Sequence, residues 1–176
     1  LPPFKGEVDL SWQIVNHLID KEFDIVTCQE MLVDHACTLP LKLLWPEGAC
    51  PVTVVPICIN TVQFPLPKAS RVYAMAKAVG EAVAAWDSSK TVAFIGSGGL
   101  SHQLDGERAG FINRDFDLQF LESLVHDPKW ATQFSIHELV EKTGTQGVEL
   151  VMWLAARAAL GDGPLRRVHQ NYHIPI

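Results

Sequence analysis

The sequence predicts an α/β fold, a layered sandwich with a mostly parallel or mixed central sheet flanked by helices. Three observations predict it. Strand-like and helix-like patterns alternate along the chain, with no internal repeat or low-complexity segment, which favours α/β over α+β. The run Val92 to Gly96 is mostly apolar or β-prone and reads as a strand buried on both faces. It breaks into Gly96-Ser97-Gly98-Gly99, followed by Ser101-His102. A glycine-rich loop at the carboxyl end of a strand is where such sheets place ligand chemistry; the plainer reading is a tight turn whose histidine caps a neighbour. With 176 residues, 48% of them hydrophobic, the expectation is one domain with a real core over 1–176.

The elements follow in order. Asp9 is placed to cap a helix from Leu10 to Lys21, with Leu10, Ile14, Val15, Leu18 and Ile19 as its stripe and His17 beside it. Phe23 to Cys28 reads as a short strand. Asp34-His35 then interrupts an apolar stretch, and Leu39 to Trp45 reads as a short helix with Pro40 in its first turn. Val52 to Ile59 reads as a second buried strand, with Pro56 marking a bulge or edge. Lys68 to Trp86 is alanine-rich, with Val72, Met75, Ala76, Val79 and Val83 on one face, the clearest helix signal in the chain. Asp115 to Val125 reads as a helix stopped by Asp127-Pro128, with Phe116, Leu118, Phe120, Leu121 and Leu124 inward. Ser135 to Lys142 carries a capping box with Glu138. Val148 to Leu160 is apolar nearly all round, with Glu149 and Arg157 its only charges. The end, Asn171 to Ile176, looks strand-like.

Composition excludes several classes. Charged residues make up 19% and the formal net charge is −6, which argues against nucleic acid and against an anionic membrane surface as partners. No apolar run is long enough to span a bilayer, and the expected location is cytoplasmic. Cys28, Cys37, Cys50 and Cys58 form no Cys-x-x-Cys pair and read as buried free thiols. The chain begins Leu1-Pro2-Pro3 without an initiator methionine, so it is expected to be a piece of a longer protein. P-loop and HExxH motifs are absent, and Gly96-Ser97-Gly98-Gly99 lacks the third glycine position of a dinucleotide loop. Gln103 stands where a nucleophile elbow requires glycine, which removes Ser101 as a hydrolase nucleophile.

Three titratable residues, His35, His102 and Glu149, stand in apolar or glycine-rich surroundings. A buried carboxylate is costly unless paired or metal-bound; alternatively, Glu149 sits in a first helical turn, where the dipole favours an anion. The segments VDHACTLPL, GSGGLSHQL with GERAGFIN and FDLQFL, and GVELVMWL together resemble the class III extradiol ring-cleavage dioxygenases of the protocatechuate 4,5-dioxygenase β subunit and gallate dioxygenase type. The resemblance covers almost the whole chain, in the same order, and corresponds to the C-terminal part of the catalytic subunit. Ala36 stands where the family usually has glycine.

The resemblance implies a non-haem Fe(II) enzyme that cleaves the ring of a catecholic acid such as protocatechuate or gallate with O2. Two histidines and one carboxylate hold the iron in such sites. Glu149 matches the carboxylate ligand, His102 the general base, and His35 a second histidine that hydrogen-bonds substrate or bound oxygen, so both histidines are substrate-binding candidates. The family's two iron-binding histidines lie in a segment upstream of this sequence; His17, His126, His137, His169 and His173 match no ligand motif, and His126 and His137 are expected at the surface. The resemblance also implies an oligomer and a possible small α subunit over the site. The alternative is a metal-free binding or structural subunit of the same fold. The enzymatic reading requires the two imidazoles and the acid to converge on one cavity.

Overall fold

The computed structural model describes residues 3–174. Its regular structure is helical: α1 (Val8–Asp20), α2 (His35–Leu44), α3 (Ala69–Ala84), α4 (Arg114–His126), α5 (Ile136–Thr143) and α6 (Val151–Ala159), with 3-10 turns at Trp130–Gln133 and Gly147–Leu150. Among the described residues no β-ladder forms, and the one isolated bridge pairs Gly6 with Val54 in parallel. The predicted central sheet is therefore overturned. Apolar, β-branched residues make a backbone extended, but a strand exists only when another strand takes up its N–H and C=O groups. Val92 to Gly96 has no regular structure and joins no ladder among the described residues, and Ile95 is 52% exposed, so the run is not buried on both faces. Phe23 to Cys28 joins no β-ladder among the described residues either, and Val26 is almost fully exposed. In Val52 to Ile59 only Val54 makes a bridge. Asn171 to Ile174 has no regular structure, and Pro175 and Ile176 lie outside the described residues, as do Leu1 and Pro2.

The chain divides into two compact units. The first comprises residues 1–58 and 78–93. Here α1 buries Leu10, Ile14 and Leu18 at helical spacing. Its amino end is Glu7, not Asp9, and Glu7 makes no cap hydrogen bond; its carboxylate instead accepts from Thr53 Oγ1 and Lys90 Nζ. His17 reaches Glu81 at 3.3 Å, on the helix surface as expected. The second helix starts four residues earlier than predicted, because the Asp34 carboxylate accepts the Ala36 amide and caps it; Pro40 is then interior. The cysteines are free, but Cys28 and Cys58 are exposed and Cys37 and Cys50 only partly covered, which corrects the expectation of burial. Cys28, Cys50 and Cys58 lie in segments without regular structure, and Cys37 lies in α2.

The second unit comprises residues 59–77 and 94–176. Its core joins Ala69, Val72, Tyr73 and Ala76 of α3 to Phe116 and Phe120 of α4, Leu139 of α5, and Leu150, Val151 and Leu154 around the start of α6. Phe116, Trp130 and Phe134 form a ring cluster with centroids 5.0–5.6 Å apart. The capping box at Ser135 and Glu138 forms as predicted. The buried Arg157 guanidinium donates to the Leu124 and Gly161 carbonyls, which satisfies its charge without a carboxylate. No helix among the described residues is long and apolar enough to cross a membrane.

Candidate active site

Glycine makes this site possible. The loop Gly96-Ser97-Gly98-Gly99 lies directly against the segment that carries Glu149. A Cβ on Gly96 would stand 2.6 Å from the Met152 carbonyl oxygen, and one on Gly98 would stand 2.6 Å from that of Glu149. Any side chain at either place would collide with backbone, so the loop reaches this depth only because it has none. The Trp153 indole donates to the Gly98 carbonyl at 3.1 Å and holds the contact.

Glu149 lies in the 3-10 turn Gly147–Leu150 that precedes α6, not in the helix itself. Its side chain is half-buried, and Oε2 accepts the Gly99 amide at 3.1 Å. The carboxylate sits in the first turn of this 3-10 segment and is turned onto the loop that leads to His102. The position of a Gly99 Cβ would lie 2.7 Å from His102 Cε1 and 3.7 Å from Glu149 Oε2. The imidazole therefore packs closely against Gly99, with the Glu149 carboxylate near the same point, an approach that only a residue without a side chain allows. Arg157 is engaged elsewhere and does not neutralise Glu149.

The His102 backbone is held on both sides. Its amide donates to the Thr143 carbonyl at 2.8 Å, and its carbonyl accepts from Gly147 at 3.1 Å. Gly144 fits this turn with φ +84, where a Cβ would lie 2.4 Å from the His102 carbonyl oxygen. The ring is oriented as well: Nδ1 lies 2.8 Å from the Leu100 carbonyl. A carbonyl only accepts, so Nδ1 is the protonated nitrogen, and Nε2 of the neutral ring carries the lone pair. That arrangement leaves one defined nitrogen able to take a proton.

His35 belongs to the first unit, at the first position of α2, and is exposed. His102 and Glu149 are brought together in the second. His126 and His137 are exposed, as expected, and so are His169 and His173. Among the described residues no group of three or more His, Cys, Asp or Glu side chains is arranged to hold a metal ion. One carboxylate is a single ligand and does not fill an Fe(II) site. What these residues provide by themselves is an oriented imidazole beside an acid.

Behind His102 lies a network that the sequence reading passed over. Ser101 and Asp117 are buried, 3% and 1% exposed. The Asp117 carboxylate accepts from the Ser101 amide, the Ser101 hydroxyl and the Tyr172 hydroxyl at 2.8, 2.7 and 3.0 Å. The Asn113 amide donates to the Ser101 hydroxyl at 2.7 Å. Burial, then the hydrogen bond and charge of Asp117, push the Tyr172 phenol up to about 12. The signal was present: Asp117 shares a helical face with Phe120, Leu121 and Leu124, and an acid on an apolar face requires partners.

Residues 1–175 match the model of the catalytic LigB subunit of aromatic ring-opening dioxygenase, and the chain belongs to that family. Among its relatives is a gallate dioxygenase of Pseudomonas putida, 36% identical over 99% of this chain and 52% of the relative. Two 2,3-dihydroxyphenylpropionate/2,3-dihydroxicinnamic acid 1,2-dioxygenases also match. That of a Rhodococcus species is 39% identical over 99% of this chain and 68% of the relative; that of Azotobacter vinelandii is 29% identical over 96% and 67%. The chain thus spans about half the length of the gallate enzyme and about two thirds of the others.

Proposed function

We propose that the full-length protein is a non-haem Fe(II)-dependent extradiol dioxygenase, which opens the ring of a catecholic acid such as protocatechuate or gallate with O2. The observation that carries this reading is the meeting of His102 and Glu149 at Gly99, in a chain of the ring-opening dioxygenase family. His102 is the general base: Nε2 takes a proton from a substrate hydroxyl while Nδ1–H stays on the Leu100 carbonyl. Glu149 contributes one carboxylate ligand, and the two histidine ligands lie outside this sequence. By the resemblance to the family, His35 is the second histidine, which hydrogen-bonds substrate or O2. When bound, the metal supplies the redox and Lewis-acid chemistry that no side chain here has. A small α subunit over the site, a homo- or hetero-oligomer and a cytoplasmic location belong to the same reading.

Oxygen uptake by the full-length protein, with protocatechuate and with gallate and with added Fe(II), tests it. Uptake is expected with at least one of the two. His102→Ala is expected to abolish ring cleavage while iron remains bound, and Glu149→Ala to lose the iron. Retained turnover in either variant overturns that residue's role. Absence of both iron and uptake in the full-length protein supports instead a metal-free binding subunit.

A further inference from the structure

We propose that Asp117 is the positioning residue of His102, holding the peptide that carries the imidazole by way of Ser101. The proposal rests on His102 being the base. Three features of the network support it.

First, the carboxylate is 1% exposed, yet its three hydrogen-bond partners are neutral: one amide and two hydroxyls. A buried acid satisfied in this way is no cheap route to stability, since an apolar residue of similar size avoids the desolvation cost. Directional bonds give a single geometry instead. Second, two of the three bonds go to Ser101, the residue immediately before His102. The Ser101 hydroxyl receives the Asn113 amide while donating to Asp117, so its rotation is fixed as well. Third, the amide, carbonyl and Nδ1 of His102 are already held by Thr143, Gly147 and Leu100. Asp117 completes that frame from the side facing α4. The acid touches neither the ring nor Glu149 in this arrangement; it acts through the backbone.

The test uses the full-length, iron-loaded protein with protocatechuate or gallate, whichever it turns over. Asp117→Asn keeps the shape, but an amide nitrogen in place of Oδ2 cannot accept, so the Ser101 and Tyr172 hydroxyls lose their shared acceptor. Ser101→Ala removes the hydroxyl arm and keeps the amide arm, which covers the case in which the first variant folds poorly. Each is expected to lower kcat roughly 10- to 100-fold, as small misplacements of a reacting group do, with KM within about twofold and iron content unchanged. Amide hydrogen exchange is expected to speed up at Ser101 and His102 and not across the core.

A kcat within about twofold of the parent in both variants overturns the proposal. So does a parallel loss of iron, substrate affinity and core protection, which marks a purely structural role. His102→Ala measured alongside separates the two readings. If it is inactive while Asp117→Asn is fully active, positioning alone fails. If it retains turnover, the base assignment fails and the positioning role falls with it.

Discussion

At the residue scale, the site depends on an atom that is not there. Gly99 has no left-handed φ to protect, so its importance is steric. An alanine Cβ would lie 2.7 and 3.0 Å from His102 Cε1 and Nδ1, closer than real contacts allow. Something must yield, and the ring is held by its bond to Leu100. Gly99→Ala in the full-length protein is expected to reduce ring cleavage about tenfold or more while thermal unfolding moves by only a few degrees. Activity equal to the parent's would mean that the close fit of His102 against Gly99 does not set the position of the base. The same scale explains why His102 and Glu149 were readable as candidates and Asp117 was not. The first two stand in glycine-rich or apolar words that announce them; Asp117 sits among ordinary helix residues, and only its phase on the helix marks it.

At the element scale, helices were legible because their information is local. The stripe of Leu10, Ile14 and Leu18 and the face of Val72, Ala76 and Val79 are buried as periodicity required. The α5 helix begins on the expected capping box, in which the Ser135 hydroxyl accepts the Glu138 amide and the Glu138 carboxylate accepts the Ser135 amide. Ser135→Ala is expected to cost about 1 kcal/mol in denaturant unfolding and to leave ring cleavage unchanged, since the cap lies at the end of α5 away from the Thr143 and Gly147 clamp. Strands were misread because the relevant partner is remote. Val92 to Gly96 has the composition of a strand, yet it joins no ladder among the described residues. Glu149 also moved: a helix reading over Val148 to Leu160 did not foresee the 3-10 turn that presents the carboxylate to the loop.

At the scale of the whole molecule, distant segments are fastened by few polar bonds. In the second unit, residues 160–174 have no helix of their own; Tyr172 reaches back to Asp117, and Arg167 to Glu122. The Tyr172 phenol is raised above its ordinary value of 10 to about 12 in the fold, so folding favours the neutral form. The stability this contributes is complete below about pH 10 and is lost as pH rises through about 12. Tyr172→Phe is expected to narrow the loss of unfolding free energy over that alkaline window relative to the parent. An identical alkaline profile for both proteins would show that the bond to Asp117 does not form in solution.

Sequence alone determined the family and most of the helices, and it singled out His35, His102 and Glu149 as candidates, because each is written in a short word or a local period. Tertiary structure decided that no ladder joins the extended runs, that Gly99 brings His102 and Glu149 together, and that Asp117 stands behind them. Those outcomes depend on which backbone groups meet across tens of residues. The geometry that settles such meetings, a missing Cβ or an amide facing a carboxylate, leaves no period in the chain to read.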